Sequence, residues 1–261
     1  MLLTEPPLSP YDVHFRVFGI PVRISPFFWI VVLVLGLNPR GGTRPAELII
    51  WIGVVLVSIL VHEMGHAVTQ RRFGGRPWIT LYALGGLASC DDCDRRPSSQ
   101  ILISLAGPVA GFLLAIAAVA LVRLSGHPFG WTWADEVDWI SAGITEATVL
   151  PMLGGMWYWK PFASQSADDL LASALAVNIL WGLVNLLPIY PLDGGRVARE
   201  VCTLKNPRWG IVLSLRISIV AAIAVAVAAG IAWQSLFTVL MFGYLAYSSY
   251  MTLQAYESQG W

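Results

Sequence analysis

Six apolar stretches dominate this sequence, at about residues 27–37, 46–70, 99–124, 169–187, 211–233 and 234–250. A bilayer's hydrocarbon core is about 30 Å thick, which takes roughly 20 apolar residues as a helix. Backbone in lipid must bond internally, so such a chain is confined to helices except where protein shields it. Only 12% of residues are charged and 56% are hydrophobic, against about 25% charged in soluble domains. The expectation is an all-α polytopic membrane protein with about six transmembrane helices. Residues 1–261 read as one membrane-embedded domain with a core at 45–200, a Trp-rich connection at 125–169 and a C-terminal helical pair at 207–253.

The first stretch is short and needs the residues before it, or a thin membrane, to cross. Before it, Ile20–Ile24 reads as a short strand or an interfacial segment. Ser25-Pro26 and Asn206-Pro207 read as N-cap and first helical residue, Ser166-x-x-Asp169 as a capping box, and residues 38–42 as a turn. Residues 78–89 are apolar, β-branched and aromatic, yet too short to span; they suit a re-entrant strand or hairpin. An edge there either serves as structure alone or pairs with an extended peptide. Gly107-x-x-x-Gly111 reads as a small-residue helix contact, and residues 91–96 as a solvated charged loop. Trp131, Trp133, Trp139, Trp157 and Trp159 crowd the long connection, as an interfacial belt or as a lid over a lateral entry. His127 reads as solvated and Arg216 as snorkelling to the interface.

Zero net charge argues against a nucleic-acid surface. Three cysteines make no disulfide framework; Cys90 and Cys93 have C-x-x-C spacing without a second pair, so the pair is structural or incidental, or else serves redox or metal binding. The start of the chain is acidic and Pro-rich, unlike a removable signal peptide.

Chemistry concentrates at Val61-His62-Glu63-Met64-Gly65-His66-Ala67. Residues four apart share a helix face, so His62 and His66 can grip one metal ion, with Glu63 beside it as general base. The bland alternative is a pair of histidines at a helix end facing water or headgroups. The apolar lead-in weighs against it, because ionisable groups inside a membrane span are costly and tend to mark functional sites. Zinc catalysis needs a third ligand and an open position. Neither His14 nor His127 lies in a span; Asp193 follows the fourth span, between prolines and a Gly pair. Six spans bring the ends of the second and fourth to one face, where Asp193 can meet the histidines.

His62-Glu63-Met64-Gly65-His66, followed on a separate span by Asn185-Leu-Leu-Pro188-Ile-Tyr-Pro191-Leu192-Asp193-Gly194-Gly195, resembles the site-2 protease family of intramembrane zinc metalloproteases. Leu84-Gly85-Gly86 and Ala106-Gly107-Pro108 fall where that family keeps a glycine-containing strand and a Gly-Pro helix. The resemblance implies one zinc per chain on His62, His66 and Asp193, with Glu63 as base. It implies that Asn185 stabilises the oxyanion or binds substrate, and that Gly85 and Gly86 contact substrate. The partners it implies are the bilayer and the transmembrane segment of a substrate protein. No stretch is long enough for the PDZ or CBS domains that many relatives carry.

Eleven Lys and Arg fall on one side of the six spans and four on the other, with Arg216 inside the fifth. The positive-inside rule then makes both termini cytoplasmic and turns the metal motif toward the cytoplasm, in what reads as a bacterial inner membrane. A membrane metal transporter and a catalytically silent scaffold are the alternatives. A transit site has no need of Glu63, and a silent scaffold no need of all four polar groups.

Overall fold

The computed structural model describes residues 5–37, 42–83, 85–133, 147–207 and 209–258. The turn expected at 38–42 therefore lies outside them except for Gly42, as do Leu84 and Trp139.

Among the described residues, five helices are long and apolar enough to cross a membrane: α2 (Pro45–Arg72), α3 (Pro97–Leu124), α4 (Gln165–Asn185), α6 (Trp209–Ala228) and α7 (Leu236–Ser258). A π-helical turn, Ala229–Trp233, extends α6. The sixth expected span, α1 (Pro26–Gly36), has only 11 residues. It follows directly on strand β2 (Ile20–Ile24). Alone, α1 is about 17 Å long, short of the roughly 30 Å hydrocarbon layer. Pro26 sits at the start of α1 as expected, though Ser25 makes no side-chain cap; its backbone N–H instead donates to the Leu81 carbonyl. Between α4 and α6 lies an amphipathic helix, α5 (Asp193–Lys205), which the sequence reading missed. The Asn206 side chain does cap α6, accepting from Trp209 N–H.

The re-entrant element is larger than a hairpin. Strands β1 (Val13–Val17), β2, β3 (Arg76–Tyr82) and β4 (Gly85–Asp91) form one sheet in the order β1-β2-β3-β4. The β3–β4 hairpin is the expected one, with Tyr82 opposite Gly85. The addition is β2, which runs parallel to β3 across the whole α1–α2 excursion. Its alternation explains this: Ile20, Val22 and Ile24 point inward and join Ile79, Leu81, Val55, Ile59 and Ala67 in one buried cluster. Arg23, on the opposite face of the strand, is also buried and is held by Glu5 and Asp12.

Two other expectations are corrected. Residues 91–96 are more than a solvated loop. Cys90 and Cys93 form a disulfide at the end of β4, and Asp94 accepts from the Arg96 N–H and the Ser99 hydroxyl at the start of α3. The Arg96 guanidinium and N–H hold the Asp94 carboxyl below its usual range. The Ser166–Asp169 capping box does not form: α4 begins at Gln165, and Asp169 pairs instead with Arg44 at 2.6 Å.

The long connection carries a second sheet, also missed: β5 (Phe129–Trp133), β6 (Thr148–Met152) and β7 (Gly155–Trp159), in the order β5-β7-β6. Buried Asp168 in the first turn of α4 anchors it, accepting from Trp159 Nε1–H at 2.7 Å and from Phe162 N–H. His127 stacks on Phe162 and takes no part in any described metal-ligand group.

Candidate metal centre

The site is built where three helices and one strand meet. α2 is a continuous helix, so His62 and His66 lie one turn apart on its buried face, exposed by 3% and 4%. His66 Nδ1–H donates to the Ile103 carbonyl of α3 at 2.6 Å, which leaves Nε2 bare and aimed at His62 Nε2, 3.2 Å away. Pro108 lies inside α3 and lacks the N–H that would bond the Ser104 carbonyl, so the helix ladder is broken one residue from that acceptor.

Asp193 comes from far along the chain. It is the first residue of α5, where the helix dipole favours an anion. Gly194 and Gly195 let this turn press onto the preceding bend. A Cβ on Gly194 would lie 2.1 Å from the Leu186 carbonyl oxygen, and one on Gly195 2.4 Å from the Ile189 carbonyl carbon. Asp193 Oδ2 stands 3.1 Å from His62 Nε2 and 3.2 Å from His66 Nε2. With 3.2 Å between the two nitrogens, the three atoms form a nearly equilateral triangle.

That triangle fits a metal. Atoms about 2.0–2.1 Å from a tetrahedral zinc lie roughly 3.3 Å from one another. Two nitrogens and a carboxylate oxygen are a donor set zinc accepts. Space for an ion would come from Gly107: a Cβ there would fall 2.1 Å from His66 Nε2 and 2.8 Å from His62 Nε2. From sequence, packing is favoured for Gly107 over any direct chemistry. Packing between α2 and α3 belongs rather to Gly65, whose Cβ would lie 2.4 Å from the Ala106 carbonyl oxygen.

Glu63 is buried beside the triangle, and one ligand atom from each of His62, Glu63 and His66 lies within 4.8 Å of the others. Gly86 on β4 is what admits it, since a Cβ at that position would lie 2.3 Å from Glu63 Cγ. Gly85, at φ +117°, packs under the Trp181 indole. Strand β4 pairs with β3 on one side and, among the described residues, with no strand on the other. Asn185 ends α4 with its Nδ2–H on the Trp181 carbonyl at 3.0 Å. The arrangement can bind one divalent ion and place a carboxylate base next to it, inside a bundle of apolar helices.

The family model described as "Peptidase family M50" matches residues 50–227. The chain is 22% identical over 201 residues to a zinc metalloprotease of Methanocaldococcus jannaschii, covering 73% of this chain and 45% of that protein. It is 32% identical over 148 residues to Rip3 of Mycobacterium tuberculosis, named a putative zinc metalloprotease, covering 56% and 29%. It is 28% identical over 178 residues to stage IV sporulation protein FB of Bacillus subtilis, covering 67% and 46%. The chain thus spans half or less of these relatives' length. Among solved structures, the fold is similar to that of a site-2 protease from Methanocaldococcus jannaschii, with TM-score 0.56 over 93% of this chain and 95% of that one, at 20% identity.

Proposed function

We propose, because this chain belongs to peptidase family M50, that it is a membrane-embedded zinc metalloprotease. Its reaction is hydrolysis of a peptide bond in or beside the transmembrane segment of a membrane-protein substrate. The observation that carries this is the triangle of His62 Nε2, His66 Nε2 and Asp193 Oδ2, with sides of 3.1–3.2 Å and Glu63 buried beside it. These three residues would hold one zinc per chain. When bound, zinc supplies Lewis acidity that polarises a carbonyl and brings a water's pKa toward about 7.

Everything else falls to the protein's own groups. Glu63 accepts the proton of the attacking water and passes it to the leaving amine. A substrate helix bonds its own carbonyls, so it must unwind before attack. The open side of β4 offers backbone donors and acceptors to an extended segment, and side-chain-free Gly85 and Gly86 let that segment approach Glu63 closely. Asn185 would serve the oxyanion by turning its Nδ2–H away from the Trp181 carbonyl. The protein is integral to the membrane. We further propose that both termini face the cytoplasm of a bacterial cell, which puts the metal centre toward that side.

Co-expression with single-span candidate substrates, comparing wild type with Glu63→Gln, tests the reading. Wild type should give a shortened product, and Glu63→Gln should keep zinc yet lose cleavage by several orders of magnitude. Cleavage at the wild-type rate by Glu63→Gln would overturn the base assignment. Zinc flux into proteoliposomes without cleavage would move the assignment to a transporter.

A further inference from the structure

The third ligand stands at the end of a bend, Leu186–Leu192, that carries no regular secondary structure. What holds this bend comes from α6 and α7. Ile189 is fully buried among Ala222 of α6 and Phe242, Leu245 and Ala246 of α7. Next to it, the Tyr190 backbone is gripped from both helices. Tyr190 N–H donates to Ser218 Oγ of α6 at 3.0 Å, and the Ser249 hydroxyl of α7 donates to the Tyr190 carbonyl at 3.3 Å. Ser218 in turn donates to the Ser214 carbonyl at 2.9 Å, which orients its lone pairs toward Tyr190. Both serines are buried, at 1% and 0% exposure.

We propose that Ser218 and Ser249 are positioning residues for Asp193: by clamping the Tyr190 peptide groups they fix the carboxylate at the two imidazoles. The inference rests on the metal-binding role proposed above. Only Pro191 and Leu192 separate the clamp from the ligand. Proline has a fixed φ, and Leu192 N–H is tied to the Ile189 carbonyl at 2.8 Å. Few torsions are therefore free between Tyr190 and Asp193, and a shift of the clamp reaches the carboxylate undamped. The two histidines have no such dependence, because α2 and the Ile103 carbonyl hold them. Groups that orient a metal ligand without touching the metal typically account for 10- to 100-fold in affinity.

A double-mutant cycle on the full chain in lipid nanodiscs tests this, with zinc affinity read by competition against a chelator. Ser218→Ala with Ser249→Ala should bind zinc about 10- to 100-fold more weakly than wild type. In an Asp193→Ala background the same pair should weaken the remaining affinity by less than about 2-fold, because the ligand through which the serines act is gone. Equal weakening in both backgrounds would assign the serines a general structural role and overturn the proposal. So would serine variants that match wild type. Wild-type chain that takes up no zinc overturns the metalloprotease reading itself, and this one with it. Should the paired variant not fold, each single substitution runs through the same cycle with the same criteria.

Discussion

The two halves of the proposed metal centre are held by different means. His62 and His66 sit on one uninterrupted helix, and a single turn of α2 fixes their spacing. Asp193 sits after an irregular bend, and its place depends on two glycines, a buried isoleucine and the C-terminal helix pair. The first half is organised locally, the second by tertiary contacts far along the chain. A substitution near the histidines should therefore damage the site while sparing the fold. One near Asp193 should damage both.

Gly107→Ala is the sharpest way to press that contrast. The added methyl would enter the space between the two Nε2 atoms. The atoms it meets are imidazole tips, which can turn aside, and alanine gains about 1 kcal/mol over glycine in a helix. Cleavage should fall to the Glu63→Gln background and zinc affinity by roughly 100-fold or more, while the melting temperature of the metal-free protein holds. A large drop in that temperature would show that Gly107 serves packing instead.

Gly195→Ala probes the other half. Its Cβ would lie 2.4 Å from a backbone carbon of Ile189, which cannot swing away as a side chain can. The bend must move, with Asp193 beside it. Zinc affinity should fall about 10- to 100-fold, and stability should fall as well, by about 1–3 kcal/mol as for overpacking generally. Equilibrium unfolding and chelator competition on one sample separate the two losses. Loss of affinity without loss of stability would mean that the bend is softer than its contacts imply.

The same division governs what the sequence discloses. A four-residue spacing on a helix is visible in the letters, so His62, Glu63 and His66 could be read off directly. Asp193 was reachable because the expected alternation of spans brings the ends of the second and fourth to one face, and because the family motif surrounds it. Strand β2 pairs with β3 across some 50 intervening residues, and no local period encodes such a partner. Ser218 and Ser249 look like the small residues any packed membrane helix carries. Gly107 was noticed, but for helix contact. Its part in the site depends on the angle between α2 and α3, which spacing does not reveal. Helix α5 was hidden by its Gly pair, which reads as a turn until the close approach to Leu186 and Ile189 is seen.

Asp168→Ala moves the test away from the metal. Its carboxylate binds Trp159 Nε1–H and Phe162 N–H, so removal leaves the buried indole donor and the half-buried amide unpaired. A cost of about 1–3 kcal/mol in stability is expected, with zinc affinity within about 2-fold of wild type, since no described contact joins this sheet to the triangle. A 10-fold loss of affinity would show that the two ends of the bundle are coupled.

Trp133→Ala should have the smallest effect, and it decides between the two readings of the Trp-rich connection. Trp133 is 56% exposed on β5, beside Trp131. If the sheet only anchors the protein at the interface, losing one exposed ring changes stability by less than about 0.5 kcal/mol, as surface substitutions generally do. Cleavage of a co-expressed substrate then stays within about 2-fold of wild type, since no described contact joins this ring to the triangle. A lid makes a different demand. Weakening its hold on the bilayer should raise the cleavage rate severalfold while zinc affinity stays put. Because Asp168 secures the sheet to α4, the rate increase should then recur in Asp168→Ala, and its absence there would return the sheet to simple anchoring.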